Sequence, residues 1–250
     1  MMFAAWHAPA TRPTKDIDFL ARIDNSAETM LPIIREICAL PVEPDGLVFD
    51  GETIHAAIIK EDADYEGLRV TFLARLQNAE VSMQLDLGFG DVLTPAAVLI
   101  DYPTILDFAS PRLYGYNRET AVAEKFEAMV KLGQLNSRMK DFFDIWSLAR
   151  QFEFDGSALA DAIAKTFSRR KTPLELPPYA LTESFSSDPQ KTAQWNAFLR
   201  KSRLPSLPGG LSEITTAIAA FLLPVAASAR EGRTVPSRWT PPGPWQEMPL

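Results

Sequence analysis

Arg12-Pro13-Thr14-Lys15-Asp16-Ile17-Asp18-Phe19-Leu20 is the stretch on which the reading of this chain turns. From Lys15 onward polar and apolar residues alternate, which is the period of a strand. Asp16 and Asp18 therefore project from one face, with Cα atoms about 6.6 Å apart at a rise of about 3.3 Å per residue. Ile17 and Phe19 point the other way, toward a core. Two ionised carboxylates this close repel by on the order of 1–4 kcal/mol in a partly wet site. A divalent cation removes that repulsion, and oxygen-only ligands suit magnesium.

Two further alternating runs, 68–76 and 81–89, are joined by Gln77-Asn78-Ala79-Glu80 and read as a β-hairpin. In the second run Val81, Met83, Leu85 and Leu87 share one face, while Ser82, Gln84 and Asp86 share the other. A strand neighbouring the Asp16–Asp18 strand would bring Asp86 in as a third carboxylate, the arrangement of a two-metal phosphoryl or nucleotidyl transfer site. The bland alternatives are a solvated face for Asp16 and Asp18, and for Asp86 a strand-end turn at Gly88-Phe89-Gly90-Asp91.

Upstream, residues 3–8 read as the end of a helix stopped by Pro9 and Pro13. Asn25-Ser26 caps a helix from Ala27 to about Leu40. Short strands are expected at 47–49 and 54–58. From Arg118 the period becomes helical. Val122, Phe126, Met129 and Val130 form one stripe, and Gly133 stops the helix. Asn136-Ser137 opens a second helix with Phe142, Ile145, Trp146 and Ala149 inward. A third covers 157–168, a Pro-rich loop 172–187, a fourth runs from Pro189 to about Lys201, and a fifth spans 212–229, broken at Pro224. The Pro- and Trp-rich tail is expected to lie extended on the surface. This is an α+β chain: residues 1–115 strand-rich, 116–234 helical, 235–250 a tail.

Composition narrows the classes further. Of 250 residues 46% are hydrophobic, which excludes a disordered chain. No uninterrupted apolar run of about 18 residues is seen, and the apolar start lacks a basic leader, so a cytoplasmic protein without membrane partners is expected. One cysteine excludes internal disulfides, and Cys38 reads as a buried thiol. Two histidines are too few for a His-based metal site. A net charge of −7 argues against broad nucleic-acid binding while leaving room for a local basic patch.

The ordered motifs resemble a known family. Residues 12–19 resemble the Arg-x-Thr-x-Asp-hydrophobic-Asp segment of the AbiEii/AbiGii-type toxins, nucleotidyltransferases of the DNA polymerase β-like superfamily. Gln84–Asp91 resembles the third-carboxylate strand. Ala123-Glu124-Lys125-Phe126-Glu127-Ala128 resembles the "EKL-A" helix, and residues 136–146 resemble the following "R-x-K-D-hydrophobic-x-D" segment. The resemblance implies a small mixed sheet with flanking helices, followed by a helical domain.

It also implies that Asp16, Asp18 and Asp86 bind magnesium and act in catalysis. Lys125 would contact the nucleotide triphosphate, and Asp141 or Asp144 would support the site. Arg12 and Lys15, flanking the acidic pair, are candidates for nucleotide or RNA phosphates. The activity implied is transfer of NMP from NTP to an RNA, tRNA-like acceptor by a toxin with a cognate antitoxin. Read without the resemblance, Lys125 is a snorkelling lysine, Lys140 pairs with Asp144 on the surface at i,i+4, and Arg169-Arg170-Lys171 is a solvated helix end. The family's Gly-containing phosphate turn would fall immediately before Met1, so a longer reading frame or an N-terminally truncated member is expected. The alternatives are a catalytically silent member that binds an antitoxin, and a nucleotidyltransferase for a small molecule.

Overall fold

The computed structural model describes the chain except residues 1, 7–16, 24–25, 63–64, 91–92, 105, 203, 205–208, 234–236 and 249–250; for 60–62 and 65–66 it describes the backbone alone. A short helix, α1 (Met2–Ala5), comes first. The chain divides into two compact units: Met1 with Thr14–Asp91, and Met2–Pro13 with Val92–Leu250. The boundary expected near residue 115 followed the change of hydrophobic period. The compact units instead part between Asp91 and Val92.

The first unit holds β1 (Ile17–Ala21), α2 (Ala27–Ala39), β2 (Leu47–Asp62), β3 (Tyr65–Leu76) and β4 (Ala79–Phe89). The four strands form one sheet in the order β1-β4-β3-β2. β1 runs parallel to β4, and the other pairs are antiparallel. The two strands expected at 47–58 are one long strand, carried across an irregularity between Asp50 and His55. Ser26 caps α2 by accepting from the Thr29 amide at 3.1 Å. Met30 and Ile34 of α2 join Ile54, Leu68, Val70, Phe72 and Leu87 in a core of buried residues. The alternation of β3 decides which face that is. Leu68, Val70, Phe72 and Ala74 are buried, so Arg69, Thr71 and Arg75 point to the opposite face. Cys38 is only partly buried, less than expected.

The second unit begins, after α1, with a hairpin of β5 (Val98–Asp101) and β6 (Arg112–Gly115) that the sequence pattern did not reveal. Then come α3 (Arg118–Leu132), α4 (Met139–Gln151), β7 (Phe154–Asp155), α5 (Gly156–Arg170), α6 (Glu183–Ser186), α7 (Pro189–Ser202), α8 (Leu211–Glu231), β8 (Ser237–Trp239) and β9 (Trp245–Glu247). Caps set the helix starts. Asn117 accepts from Thr120 at 2.7 Å, Asp155 from Ala158 at 2.7 Å, and Asp188 from Gln190 at 2.7 Å. Gly133 takes φ 47° and ends α3.

α8 runs through Pro224 rather than breaking there. It is therefore long and apolar enough, by length and composition, to cross a membrane. Here it is a core helix, its stripe Ile214, Ile218, Phe221, Leu222 and Val225 buried among α4 and α5 residues. The tail goes deeper than surface packing. β8 pairs with β7 on one side and β9 on the other, Trp239 is buried, and its indole donates to the Ala149 carbonyl at 2.6 Å.

Candidate functional site

Parallel pairing places Ile17 against Leu85, Asp18 against Asp86 and Phe19 against Leu87. Asp18 and Asp86 thus occupy the same row of the same sheet face, on strands about 4.8 Å apart. Ile17 and Leu85 turn to the face that α2 covers. The adjacency that the sequence left open is supplied here by the pairing of β1 with β4. Asp16, Arg12 and Lys15 lie outside the described residues. Asp18 is exposed, and Asp86 is partly buried.

The row continues onto β3, where Arg69 pairs with Asp86. Its guanidinium grips the carboxylate with both prongs: Nε donates to Oδ1 at 2.8 Å and Nη2 to Oδ2 at 2.8 Å. Gln84 Nε2 adds longer contacts at 3.3 and 3.2 Å to the same two oxygens. A bidentate fork is the strongest way a side chain holds a carboxylate. Arg69 was not among the expected site residues. Among the described residues there is no group of three or more His, Cys, Asp or Glu side chains placed to hold a metal. Asp18 and Asp86 fit magnesium in donor chemistry and in strand spacing. The Arg69 fork does not, since both Asp86 oxygens are already engaged.

The second unit carries a separate charged cluster. Lys125 Nζ, on α3, lies 3.0 Å from Asp141 Oδ1 and 2.9 Å from Asp144 Oδ2, both on α4. Arg138 Nε donates to Asp141 Oδ2 at 2.6 Å. Asp141 and Asp144 are each 1% exposed, not surface groups. Lys140 makes no ion pair with Asp144; the partner is Lys125, one helix away. Burial alone raises the Asp141 pKa, but the charges of Lys125 and Arg138, and their hydrogen bonds, hold it below the usual carboxylate range. Burial likewise lowers Lys125, but Asp144 and Asp141 reverse this and raise it.

The expected solvated end of α5 is also engaged. Arg170 Nη1 donates to buried Glu127 at 2.9 Å, and the Thr172 hydroxyl donates to the same carboxylate. These contacts tie α5 to α3.

The family model described as "Nucleotidyl transferase AbiEii toxin, Type IV TA system" matches residues 1–219. This chain belongs to the AbiEii nucleotidyl transferase toxin family. Among solved structures the chain is similar to JHP933 from Helicobacter pylori, at 14% identity and TM-score 0.47, covering 92% of this chain and 81% of that one. A candidate nucleotidyltransferase from H. pylori matches at 15% identity and TM-score 0.46, covering 92% and 83%. No curated protein matches. The AbiEii match runs from α1 into the first half of α8, and so includes both carboxylate-bearing strands and the Lys125 cluster.

Proposed function

We propose that this AbiEii family member transfers NMP from an NTP to an RNA acceptor and releases pyrophosphate, in the cytoplasm. The observation that carries the reading is the in-register placement of Asp18 and Asp86 on adjacent parallel strands in a chain of this family. Asp16 joins them in this reading on the sequence motif alone. Asp16, Asp18 and Asp86 would hold magnesium, which when bound neutralises phosphate charge and polarises the reacting phosphoryl group. For Asp86 to take part, Arg69 would have to release its two oxygens, and a freed guanidinium would suit phosphate.

Arg12 and Lys15 are assigned to phosphates. Lys125 is assigned to the triphosphate, and Asp141 and Asp144 hold it in place through the contacts described above. A cognate antitoxin is the proposed protein partner. The test is label transfer from radiolabelled NTPs to total tRNA with magnesium. Wild type should label RNA, and Asp18→Ala and Asp86→Ala should each lower labelling by at least about 100-fold. Absence of labelling by wild type, or labelling unaffected by either substitution, overturns the reading.

A further inference from the structure

We propose that Arg69 is a built-in competitor for the divalent cation. Its guanidinium and the cation take the Asp86 carboxylate in turn, and Arg69 thereby sets how tightly the sheet holds metal. The inference rests on the reading of Asp18 and Asp86 as divalent-cation ligands, and it adds a residue that works against them.

The acceptor count on Asp86 carries it. An ionised carboxylate offers about four acceptor positions, shared between its two oxygens. Arg69 Nε and Nη2 fill one on each oxygen at 2.8 Å, and Gln84 Nε2 reaches the same two oxygens at 3.3 and 3.2 Å. A cation needs a lone pair of this group, so a donor has to leave. Gln84 is neutral and its contacts are long, so it yields easily. Its departure alone would leave the cation against the guanidinium, whose short, charged fork is the stronger holder.

Charge points the same way. Register sets Asp18, Asp86, Arg69 and Ala57 in one row across β1, β4, β3 and β2. Two carboxylates and one guanidinium leave that row with a single negative charge. A divalent cation entering beside an unmoved guanidinium makes the row positive and sets two cations on one carboxylate, which repel at short range. Arg69 can turn away without moving the backbone, since its side chain is 41% exposed, against 17% for Asp86.

Arg75 shows the contrast within the same strand. It lies on the same face of β3, six residues and about 20 Å along. It meets Asp50 at 3.5 Å and Glu80 at 3.7 Å, longer than the charge-assisted bonds of Arg69. Replacing Arg75 removes the same charge from the same face without freeing Asp86.

Manganese binding to the full chain, measured by isothermal titration calorimetry, tests the competition. Arg69→Gln should tighten binding about tenfold, within the range for two ligands coupled through one group. Arg69→Lys, which keeps the charge and loses the fork, should fall between wild type and Arg69→Gln. Arg75→Gln should stay within about twofold. In an Asp86→Asn background Arg69→Gln should change nothing, because the two effects meet at one carboxylate. A guanidinium that only orients Asp86 for metal gives the opposite sign, weaker binding in Arg69→Gln.

Heteronuclear NMR of the arginine Nε–H groups gives a second readout. The Arg69 signal, identified by its absence from Arg69→Lys, should move on addition of magnesium toward its position in Asp86→Asn. Amide spectra of β3 and β4 check that each variant keeps its sheet. Arg69→Gln that binds manganese as wild type does, or more weakly, overturns the proposal and leaves the cation site standing. So does an Arg69 signal unmoved at saturating magnesium. Absence of manganese binding by wild type and Arg69→Gln alike overturns both the competition and the reading of the carboxylates as metal ligands.

Discussion

Lys125 belongs to a stripe of small residues on its own helix, with Ala121, Ala128 and Leu132, and by that pattern alone it is a surface lysine. Its environment is set by the neighbouring helix. Asp141 and Asp144 lie three apart on the inner face of α4, each 1% exposed, and both reach its ammonium. Spacing on one helix cannot report a partner on another, so the cluster was legible only through the motif resemblance. Removing one member of a buried ion group leaves the others uncompensated, at about 3–5 kcal/mol. Lys125→Met should therefore lower the urea midpoint followed by tryptophan fluorescence by that free energy; an unchanged midpoint would mean the two carboxylates rehydrate without cost. The pH dependence follows from the directions of the shifts. Asp141 is depressed, so its contribution is present above the ordinary carboxylate value, about 3.9, and is lost as pH falls through the lower folded value. Lys125 is raised, so its contribution is present below the ordinary lysine value and is lost as pH rises past it. The cluster is thus intact at neutral pH. Asp141→Asn should flatten the decline in stability below about pH 4 measured by urea titration.

At the scale of elements, one turn decides whether the site can be read. A four-residue turn at 77–80 would set Asp86 opposite Thr71. The structure turns on Gln77 and Asn78 alone, with Gln77 at φ 53°, and Leu76 pairs with Ala79. That moves Asp86 opposite Arg69 and creates the fork. The hairpin itself and the faces of β4 followed from alternation; the parallel pairing of β1 with β4 and the place of Arg69 did not, because alternation names no partner strand and a two-residue change in turn length shifts every cross-strand pair. The same kind of local signal misled at α8. Pro224 reads as a break, since proline lacks the amide that bonds one turn back. The helix continues because its buried stripe spans both sides of the proline, from Leu211 to Ala226. Pro224 itself is exposed and fills no core space. Pro224→Ala should restore the missing hydrogen bond and improve helix propensity, raising stability by on the order of 1–3 kcal/mol in urea. A lower midpoint would show that α8 needs the bend a proline imposes.

At the scale of the whole molecule, the described residues form two hydrophobic cores of unequal size. The first unit has Leu68, Val70, Phe72 and Leu87 under α2, and the second has the interleaved stripes of α3, α4, α5 and α8. Composition could give the fold class but not this division, because the boundary is a matter of packing, not of hydrophobic period. All five tryptophans, Trp6, Trp146, Trp195, Trp239 and Trp245, belong to the second unit. Indole fluorescence therefore reports that unit alone, whereas hydrogen exchange at the β3 and β4 amides reports the first. Leu68 is fully buried, and truncating such a leucine costs about 2–5 kcal/mol. With each core closing over its own residues, the cost should fall where the cavity forms. Leu68→Ala should accelerate exchange at residues 68–87 in proportion to that energy, while the tryptophan midpoint in urea moves little. Ile163→Ala, in the second core, should do the opposite. Independent loss of the two signals means the chain does not unfold in a single two-state step. Parallel shifts in both signals from Leu68→Ala would show instead that the carboxylate sheet and the helical unit fold as one cooperative body, and the Asp18–Asp86 site would then inherit the stability of the larger core.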